Sequence, residues 1–367
     1  MKAAVLREKG GSLEIEDLVK PVPKSQEVLV KVRACGVCHT DLHIMKGEVN
    51  FPVPCVLGHE VSGTVESVGP GVEAFQKGQS IVSPFIMPCG TCRFCKQGRD
   101  DLCENFFKLN RLKGTLYDGT TRLYRPDGSP VAMYSMGGLA EYAVVPATSV
   151  FPLPASLDPE AACTLGCAAF TAYGAVKNQA ALQQGESVAV VAAGGVGMNM
   201  IQLSKAFGAS TIIALDVADE KLQAAREAGA THTINSRNTD PVSEAMKITG
   251  NQGVDVAFEA LGRPETVTLA YNIVGDGGRV VVVGIAPQNQ SAQIEITRLV
   301  RRGIKITGSF GARTRRDMPE VIKLAVEGKI NLRKNVTRRY HLEEAGQAYA
   351  ALARGEVTGR AIVTMGS

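Results

Sequence analysis

The chain has 367 residues, 45% apolar and 21% charged, and its 40 basic against 36 acidic side chains leave a formal net charge of +4. That length exceeds what one hydrophobic core usually supports, so two domains are expected, while the small charge and a 5% aromatic content without Trp exclude the basic surface and stacking platforms of a nucleic-acid binder. No apolar run approaches the roughly 18 residues that span a bilayer, and the N-terminus reaches Lys2 and Arg7 before a hydrophobic leader forms, so a cytoplasmic protein without membrane contact is expected. Nine cysteines in a reducing compartment point to metal rather than to disulfides.

Residues 1 to about 155 alternate short β-rich runs with Gly and Pro: 2–6, 27–33, 61–68, 80–83 and 140–145, the rhythm of a small barrel or sandwich. Between 87 and 138 the periodicity gives way to a long polar insert, and a structureless loop of that length needs a staple. From 159 the pattern changes. A helix is expected over 159–176. Strands at 187–191, 211–216, 254–259, 279–284 and 304–309 then alternate with helices at 196–207 and 219–228, which predicts a parallel, doubly wound α/β sheet. Helices at 317–327 and 342–354 and a strand at 360–364 close the chain.

The strand 187–191 runs into Ala192-Ala193-Gly194-Gly195-Val196-Gly197 and a helix, the context of a dinucleotide fingerprint. Gly194 lets backbone approach a pyrophosphate, Gly197 lets helix lie close on strand, and the helix N-terminus offers amides to the anion. Ala192 stands where the first glycine of that fingerprint is expected. Asp216 ends the next strand, 19 residues beyond Gly197, where a carboxylate accepts from the adenosine ribose and repels a 2′-phosphate, so NAD is expected over NADP. Lys221, one turn further, either reaches the ribose or is a solvated helix face.

Two cysteine groups remain. Cys89, Cys92, Cys95 and Cys103 offer four thiolates, a closed tetrahedral shell and hence a structural zinc. A ferredoxin-type iron–sulfur run shares the spacing but has Pro after its last Cys, which Cys103 lacks. Cys35-Gly36-Val37-Cys38-His39 spells a c-type haem attachment pattern, a redox CxxC or part of a metal site. As a catalytic zinc site it needs three ligands and an open position: one of Cys35 and Cys38, then His59, then Cys167 from far along the chain, with Glu60 as an accompanying or alternative carboxylate.

Taken together, Cys38-His39-Thr40-Asp41 with His43, Gly58-His59-Glu60, the four loop cysteines, Gly166-Cys167, the glycine turn and Ala214-Leu215-Asp216 resemble the zinc-dependent medium-chain alcohol dehydrogenases over essentially the whole chain. The resemblance implies a GroES-like β-rich catalytic domain from 1–165 and 310–367 around a Rossmann domain at 166–309. It implies two zinc ions and NAD, with Cys38, His59 and Cys167 on the catalytic zinc. By the same resemblance, Thr40 takes the alcohol proton and passes it by way of the nicotinamide ribose to His43, Asp41 orients His59, and Glu60 belongs with the catalytic residues. His39, Gly194, Gly195, Val196, Gly197, Asp216, Lys221, Ile285 and Arg360 match cofactor-binding positions, and Phe85 and Thr171 match the substrate pocket.

The substrate it implies is a primary or secondary alcohol, oxidised reversibly to an aldehyde or ketone. Glutathione-dependent formaldehyde dehydrogenases are near relatives, but they place an Arg four residues after the last loop cysteine, where this chain has Phe107. An insert at 114–136 is similar to that of dimeric members, so a homodimer is expected, with a tetramer open. The rival class is a c-type haem or electron-transfer protein built on Cys35, Cys38 and His39.

Overall fold

The computed structural model describes residues 1–287 and 289–366. The chain divides into two compact units, Met1–Phe170 with Arg313–Ser367, and Thr171–Ala312, where sequence placed the boundaries at 165/166 and 309/310.

The first unit opens with strands β1 (Lys2–Leu6), β2 (Leu13–Asp17) and β3 (Glu27–Gly36), helix α1 (His39–Met45), then β4 (Cys55–Val56), β5 (Val61–Val68) and β6 (Ser80–Ser83). The expected structureless insert instead carries a helical turn α2 (Arg93–Lys96), a π-helical turn at Phe106–Arg111 and a hairpin of β7 (Leu123–Tyr124) and β8 (Pro130–Met133). Polar side chains hold it where apolar periodicity is lacking: the Asn110 amide donates to Thr115 O at 3.2 Å and Ser135 O at 2.9 Å. Strands β9 (Tyr142–Pro146) and β10 (Phe151–Pro152) follow.

The helix expected over 159–176 is broken. A 3₁₀ segment Ala161–Gly166 ends at Cys167, whose φ of −136° leaves the helical region, before α3 (Ala168–Tyr173) and a π-helical turn Gly174–Gln179. The apolar run is buried throughout, so periodicity could not mark the break.

The second unit alternates β11 (Ser187–Val191), α4 (Gly195–Ala206), β12 (Thr211–Asp216), α5 (Asp219–Ala228), β13 (His232–Asn235), α6 (Pro241–Ile248), β14 (Val254–Glu259), α7 (Pro264–Ile273), β15 (Val274–Val282), α8 (Ile296–Arg301) and β16 (Lys305–Gly308). All six strands are parallel in the order β13-β12-β11-β14-β15-β16, the doubly wound Rossmann arrangement. Sequence reading missed β13, α6, α7 and α8; β13 is short and partly exposed. The sheet core is built from Ala189, Val191, Ile213, Leu215, Ala257 and Val280.

The chain then returns to the first unit through α9 (Thr314–Val326), α10 (Leu332–Asn335), β17 (Val336–His341), α11 (Ala345–Ala353) and β18 (Arg360–Thr364). β18 inserts between β17 and β3, completing a sheet β10-β6-β5-β3-β18-β17 with β9 also on β3; a second sheet runs β2-β1-β4-β8-β7. The two ends of the chain therefore share one sheet. No helix among the described residues is long and apolar enough to cross a membrane.

At the turn after β11, Ala192 adopts φ +76°, a left-handed conformation that costs an L-residue roughly 1–2 kcal/mol. A Cβ on Gly197 would lie 2.0 Å from Ala192 O, so that glycine is sterically required. Ala192→Gly should leave the unfolding free energy equal or raise it by about 1 kcal/mol, strain relief being partly offset by a freer unfolded chain. Gly197→Ala should lower it by about 1–3 kcal/mol. Denaturant unfolding of both variants checks the pair, and a destabilised Ala192→Gly would refute the strain.

Candidate active site

Helix α1 begins directly after Cys38, which ends the extended run from β3 with ψ 147°, so the thiol leaves the strand as the helix turns away. Thr40 Oγ1 lies 3.7 Å from Cys38 Sγ. On the facing segment, Gly58 has φ +94°, and a Cβ there would meet Cys35 Sγ and Leu139 N at 2.7 Å, so only glycine permits the turn that delivers His59. Cys167 is delivered by the helix break. Gly166 O accepts from Phe85 N at 2.9 Å, and a Cβ on Gly166 would stand 2.6 Å from Ser83 O, so this junction lies tightly on the end of β6.

The result is a buried set, Cys38, His59, Glu60 and Cys167, whose ligand atoms all lie within 4.8 Å of one another. Cys35 is not in it: its side chain is buried in β3, and burial pushes its thiol well up. The Cys38 thiol is instead held well below its usual value by a hydrogen bond from Cys167, with His59 and Arg360 adding to the effect against burial. Burial opposes protonation of His59, yet the Asp41 and Cys38 charges lift it to about 9. A site that stabilises a thiolate and crowds soft and borderline donors in this way fits a zinc ion, and three of the four donors suffice with a position left open.

Around these donors lies a layer of partners. Asp41, with no exposed surface, accepts from His59 Nδ1 at 3.0 Å, Gly58 N–H at 3.4 Å and Tyr349 O–H at 2.8 Å. That bond keeps a proton on Nδ1, so Nε2 is the nitrogen that would give up its proton to bind a metal. Glu60 pairs with Arg360 of β18, which is only 5% exposed. Arg360 was expected at a cofactor phosphate, and its partner within this unit is Glu60. Gly36 makes room for this pair, since a Cβ there would fall 2.3 Å from Glu60 Oε2.

Phe85 stands edge-on to His59 at 5.9 Å and to Phe170 at 6.0 Å, and Tyr134 stands edge-on to His59 at 5.8 Å. The Arg111 guanidinium lies 3.9 Å over the Tyr134 ring. Sequence reading missed Tyr134, Arg111 and Tyr349, because none sits in a motif. His43 lies in the last turn of α1, partly exposed, with its Nδ1 against the Glu48 carboxylate. His39 is exposed at the start of the same helix.

The second cysteine group also converges. Cys89, Cys92, Cys95 and Cys103 have their sulfurs within 4.8 Å of one another. Cys89 Sγ accepts from Thr91 N–H at 3.5 Å and Cys92 N–H at 3.4 Å, and Cys103 Sγ from Cys89 N–H at 3.3 Å and Phe106 N–H at 3.5 Å. Against burial, the bonds from Thr91 and Cys92 pull Cys89 down to about 6, while burial leaves Cys103 at about 11 and pushes Cys95 up, with the Cys103 charge adding to it. Four sulfurs at this distance could all be thiolates only around a cation, and four sulfurs leave no open ligand position on a tetrahedral ion. Asp100, buried beside the loop, binds Arg315 of α9, whose Nη2 also donates to Cys95 O at 2.6 Å.

In the second unit, Gly194 caps α4, and a Cβ added to it would meet nothing within 4 Å, so open space faces its backbone at the helix N-terminus. Gly195 and Val196 follow in the first turn, partly exposed. Asp216 ends β12, and its carboxylate accepts from Ala193 N–H at 2.9 Å, Val217 N–H at 2.8 Å and Ala218 N–H at 3.2 Å. Lys221 is partly buried on α5, Thr171 is buried in α3, and Ile285 is exposed on the loop after β15. Buried Glu259, at the end of β14, accepts from Leu261 N–H at 2.9 Å, Gly262 N–H at 2.7 Å and Thr266 O–H at 2.7 Å. Its loop lies hard against Ile285, whose carbonyl carbon would be 2.6 Å from a Cβ on Gly262. An acid following the apolar run Val256–Phe258 at the end of a strand was the signal for Glu259 that sequence reading passed over.

A GroES-like β unit with this donor set, in one chain with a Rossmann unit, defines a zinc-binding dehydrogenase. Residues 24–155 match the alcohol dehydrogenase GroES-like domain and residues 195–327 the zinc-binding dehydrogenase domain. The chain is 34% identical to the NDMA-dependent alcohol dehydrogenase of Amycolatopsis methanolica over 360 residues, 97% of this chain and 96% of that one. Among solved structures, an alcohol dehydrogenase zinc-binding domain protein from Burkholderia ambifaria superposes with a TM-score of 0.94 at 34% identity, covering 100% and 99% of the two chains. Benzyl alcohol dehydrogenase from Acinetobacter calcoaceticus does so with 0.93 at 32% identity and the same coverage. The chain belongs to the zinc-dependent medium-chain alcohol dehydrogenase family.

Proposed function

We propose that this protein is an NAD-dependent alcohol dehydrogenase that binds two zinc ions per chain and interconverts primary or secondary alcohols with aldehydes or ketones. The observation that carries the reading is the convergence of Cys38, His59 and Cys167, 129 residues apart from first to last, into one buried donor set. A zinc ion held by those three would supply Lewis acidity toward an alcohol or carbonyl oxygen. A nicotinamide cofactor would supply the hydride acceptor, its pyrophosphate at Gly194–Gly197.

The chain's own residues do the rest. Asp41 holds His59 in one tautomer and orientation, and Tyr349 holds Asp41. The Thr40 hydroxyl, beside Cys38, accepts the alcohol proton, and His43, one turn along the same helix, carries it onward. Glu60, countered by Arg360, places a second negative group against the thiolates. Phe85, Tyr134 and Phe170 exclude water and offer an apolar, aromatic wall. That wall, with the similarity to a benzyl alcohol dehydrogenase, supports aromatic and other apolar alcohols.

The Asp216 carboxylate supports NAD over NADP, because a 2′-phosphate beside it would meet like charge. His39, Lys221 and Ile285 belong with the cofactor in this reading. Phe107, packed on Phe106 at 5.4 Å, offers no cation to a glutathione carboxylate, and Cys35 is sealed inside β3 away from any haem edge. Homodimerisation is supported by the edge strand β16, exposed along its length, and by Ile296 and Val300 on α8, 74% and 72% exposed.

Four measurements test this reading. Elemental analysis should give two zinc per chain, and His59→Ala should retain the fold while reducing alcohol-dependent NADH formation about a thousandfold or more, the loss of several kcal/mol of transition-state stabilisation. Iron in the loop, or full turnover after metal removal, would overturn it. Asp216→Gly should raise the NADP-to-NAD ratio of kcat/KM roughly tenfold, about 1.4 kcal/mol, and a parent that already prefers NADP would show the ribose argument to be wrong. Val300→Glu should convert a dimer to monomers in sedimentation analysis, whereas an unchanged dimer would place the interface elsewhere.

A further inference from the structure

His43 lies in the last turn of α1, and the chain beyond that helix doubles back. Gly47, with φ +75°, makes the turn, and the backbone N–H groups of Glu48 and Val49 both donate to His43 O, at 2.9 and 3.2 Å. This turn lays the Glu48 carboxylate on His43 Nδ1. The two side chains are 25% and 35% exposed, so the pair stands between the buried interior and water. The His43 hydrogen bond also holds the Glu48 carboxyl below its ordinary value, against its slight burial.

The charged groups around the pair are few. Lys46 lies on the same turn and favours the Glu48 carboxylate. Lys9, from the turn between β1 and β2, packs its stem on Gly47 and donates from Nζ to Asn50 at 2.6 Å. Asp41, on the same helix as His43, is committed to His59 and to Tyr349 of α11.

A histidine that relays protons needs one ring nitrogen free to accept while the other has somewhere to release. A carboxylate on Nδ1 sets that polarity: Nδ1 carries the proton and Nε2 carries the lone pair. We propose that Glu48 is the positioning residue of the proton exit, holding His43 as the Nδ1–H tautomer and receiving its proton on the way to water. This rests on the alcohol dehydrogenase reading. In alcohol oxidation the carbinol C–H bond yields a hydride to the nicotinamide and the O–H bond yields a proton. The proton adds at His43 Nε2 and the Nδ1 proton passes to the Glu48 carboxylate and then to water, so His43 ends neutral. Solvent exchange at the exposed ring restores the starting tautomer.

The test uses the full-length zinc-loaded enzyme and two substitutions. Nitrogen-15 shifts of the imidazoles, with His43 assigned among the five histidines by comparison with His43→Gln, should report the Nδ1–H tautomer in the parent and the Nε2–H form in Glu48→Ala. Glu48→Ala should lower kcat for alcohol oxidation roughly tenfold, with KM for NAD within about twofold, and added imidazole buffer should restore turnover. Glu48→Gln, which still accepts from Nδ1 but cannot take the proton, should keep the tautomer and remain responsive to buffer. In a His43→Gln background neither substitution should cost anything more.

A Glu48→Ala enzyme with parental tautomer and kcat overturns the proposal, and so does an equal loss in the His43→Gln background, which would mean that Glu48 acts through the fold. If the parent itself shows no alcohol-dependent NAD reduction, the dehydrogenase reading fails and the exit path with it. If the parent turns over and the tautomer is unmoved, only the exit path fails.

Discussion

Asp41 is a carboxylate with no contact with water, and the arrangement of the site follows from satisfying it. A buried charge is tolerated only where hydrogen-bond donors replace its hydration, and here three donors come from two distant stretches of chain: the Gly58 amide and the His59 ring from one, and from the other the Tyr349 hydroxyl, 308 residues away. Meeting that demand ties α1 to the turn before β5 and to α11. It also fixes the His59 ring, so that its other nitrogen faces the Cys38 and Cys167 sulfurs. Glu60 and Arg360 repeat the device next door, in space that Gly36 leaves free. Two buried carboxylates with dedicated partners thus hold a donor set that would otherwise repel itself.

The cysteine loop faces the same difficulty with less apolar cover. Its sulfurs are gathered by backbone amides, and its flank is anchored by Arg315 across to Asp100 and Cys95 O. A four-thiolate set with no open position contributes folding free energy when metal is bound rather than chemistry. The rest of the insert has its own framework of a π-helical turn and a short hairpin, bridged by Asn110, and its aromatic members reach the reactive set. Tyr134 stands edge-on to His59 and carries Arg111 on its face. The insert therefore serves as a wall of the proposed substrate site as well as the holder of a staple.

The second unit accepts local strain for close backbone packing. Ala192 holds a left-handed φ so that Gly197 can bring α4 against the end of β11, and the Asp216 carboxylate ties Ala193 and the start of α5 together. The side chain proposed to select NAD is thus also a clamp on the turn proposed to receive the pyrophosphate. The proposed cofactor selection and the stability of the loop would then rest on one residue.

Sequence alone determined the elements whose signals are local. The doubly wound α/β order followed from apolar runs alternating with amphipathic ones, and the glycine turn, Asp216 and the four-cysteine spacing could be read because each falls at a fixed offset along the chain within a motif. The tertiary structure decided what depends on distant contacts. It supplied the physical ground for the choice of Cys38 over Cys35 that the family resemblance had implied, because Cys35 is buried in a packed strand and Cys38 stands at its exit. It broke the helix expected over 159–176 at Cys167, in a run too uniformly apolar for periodicity to show a break. It gave Arg360 a buried carboxylate as partner, and it brought in Tyr349, Tyr134 and Glu48. Tyr349 and Tyr134 reach partners on other segments, and Glu48 meets His43 through a turn whose geometry no motif announces, so only folding sets these distances.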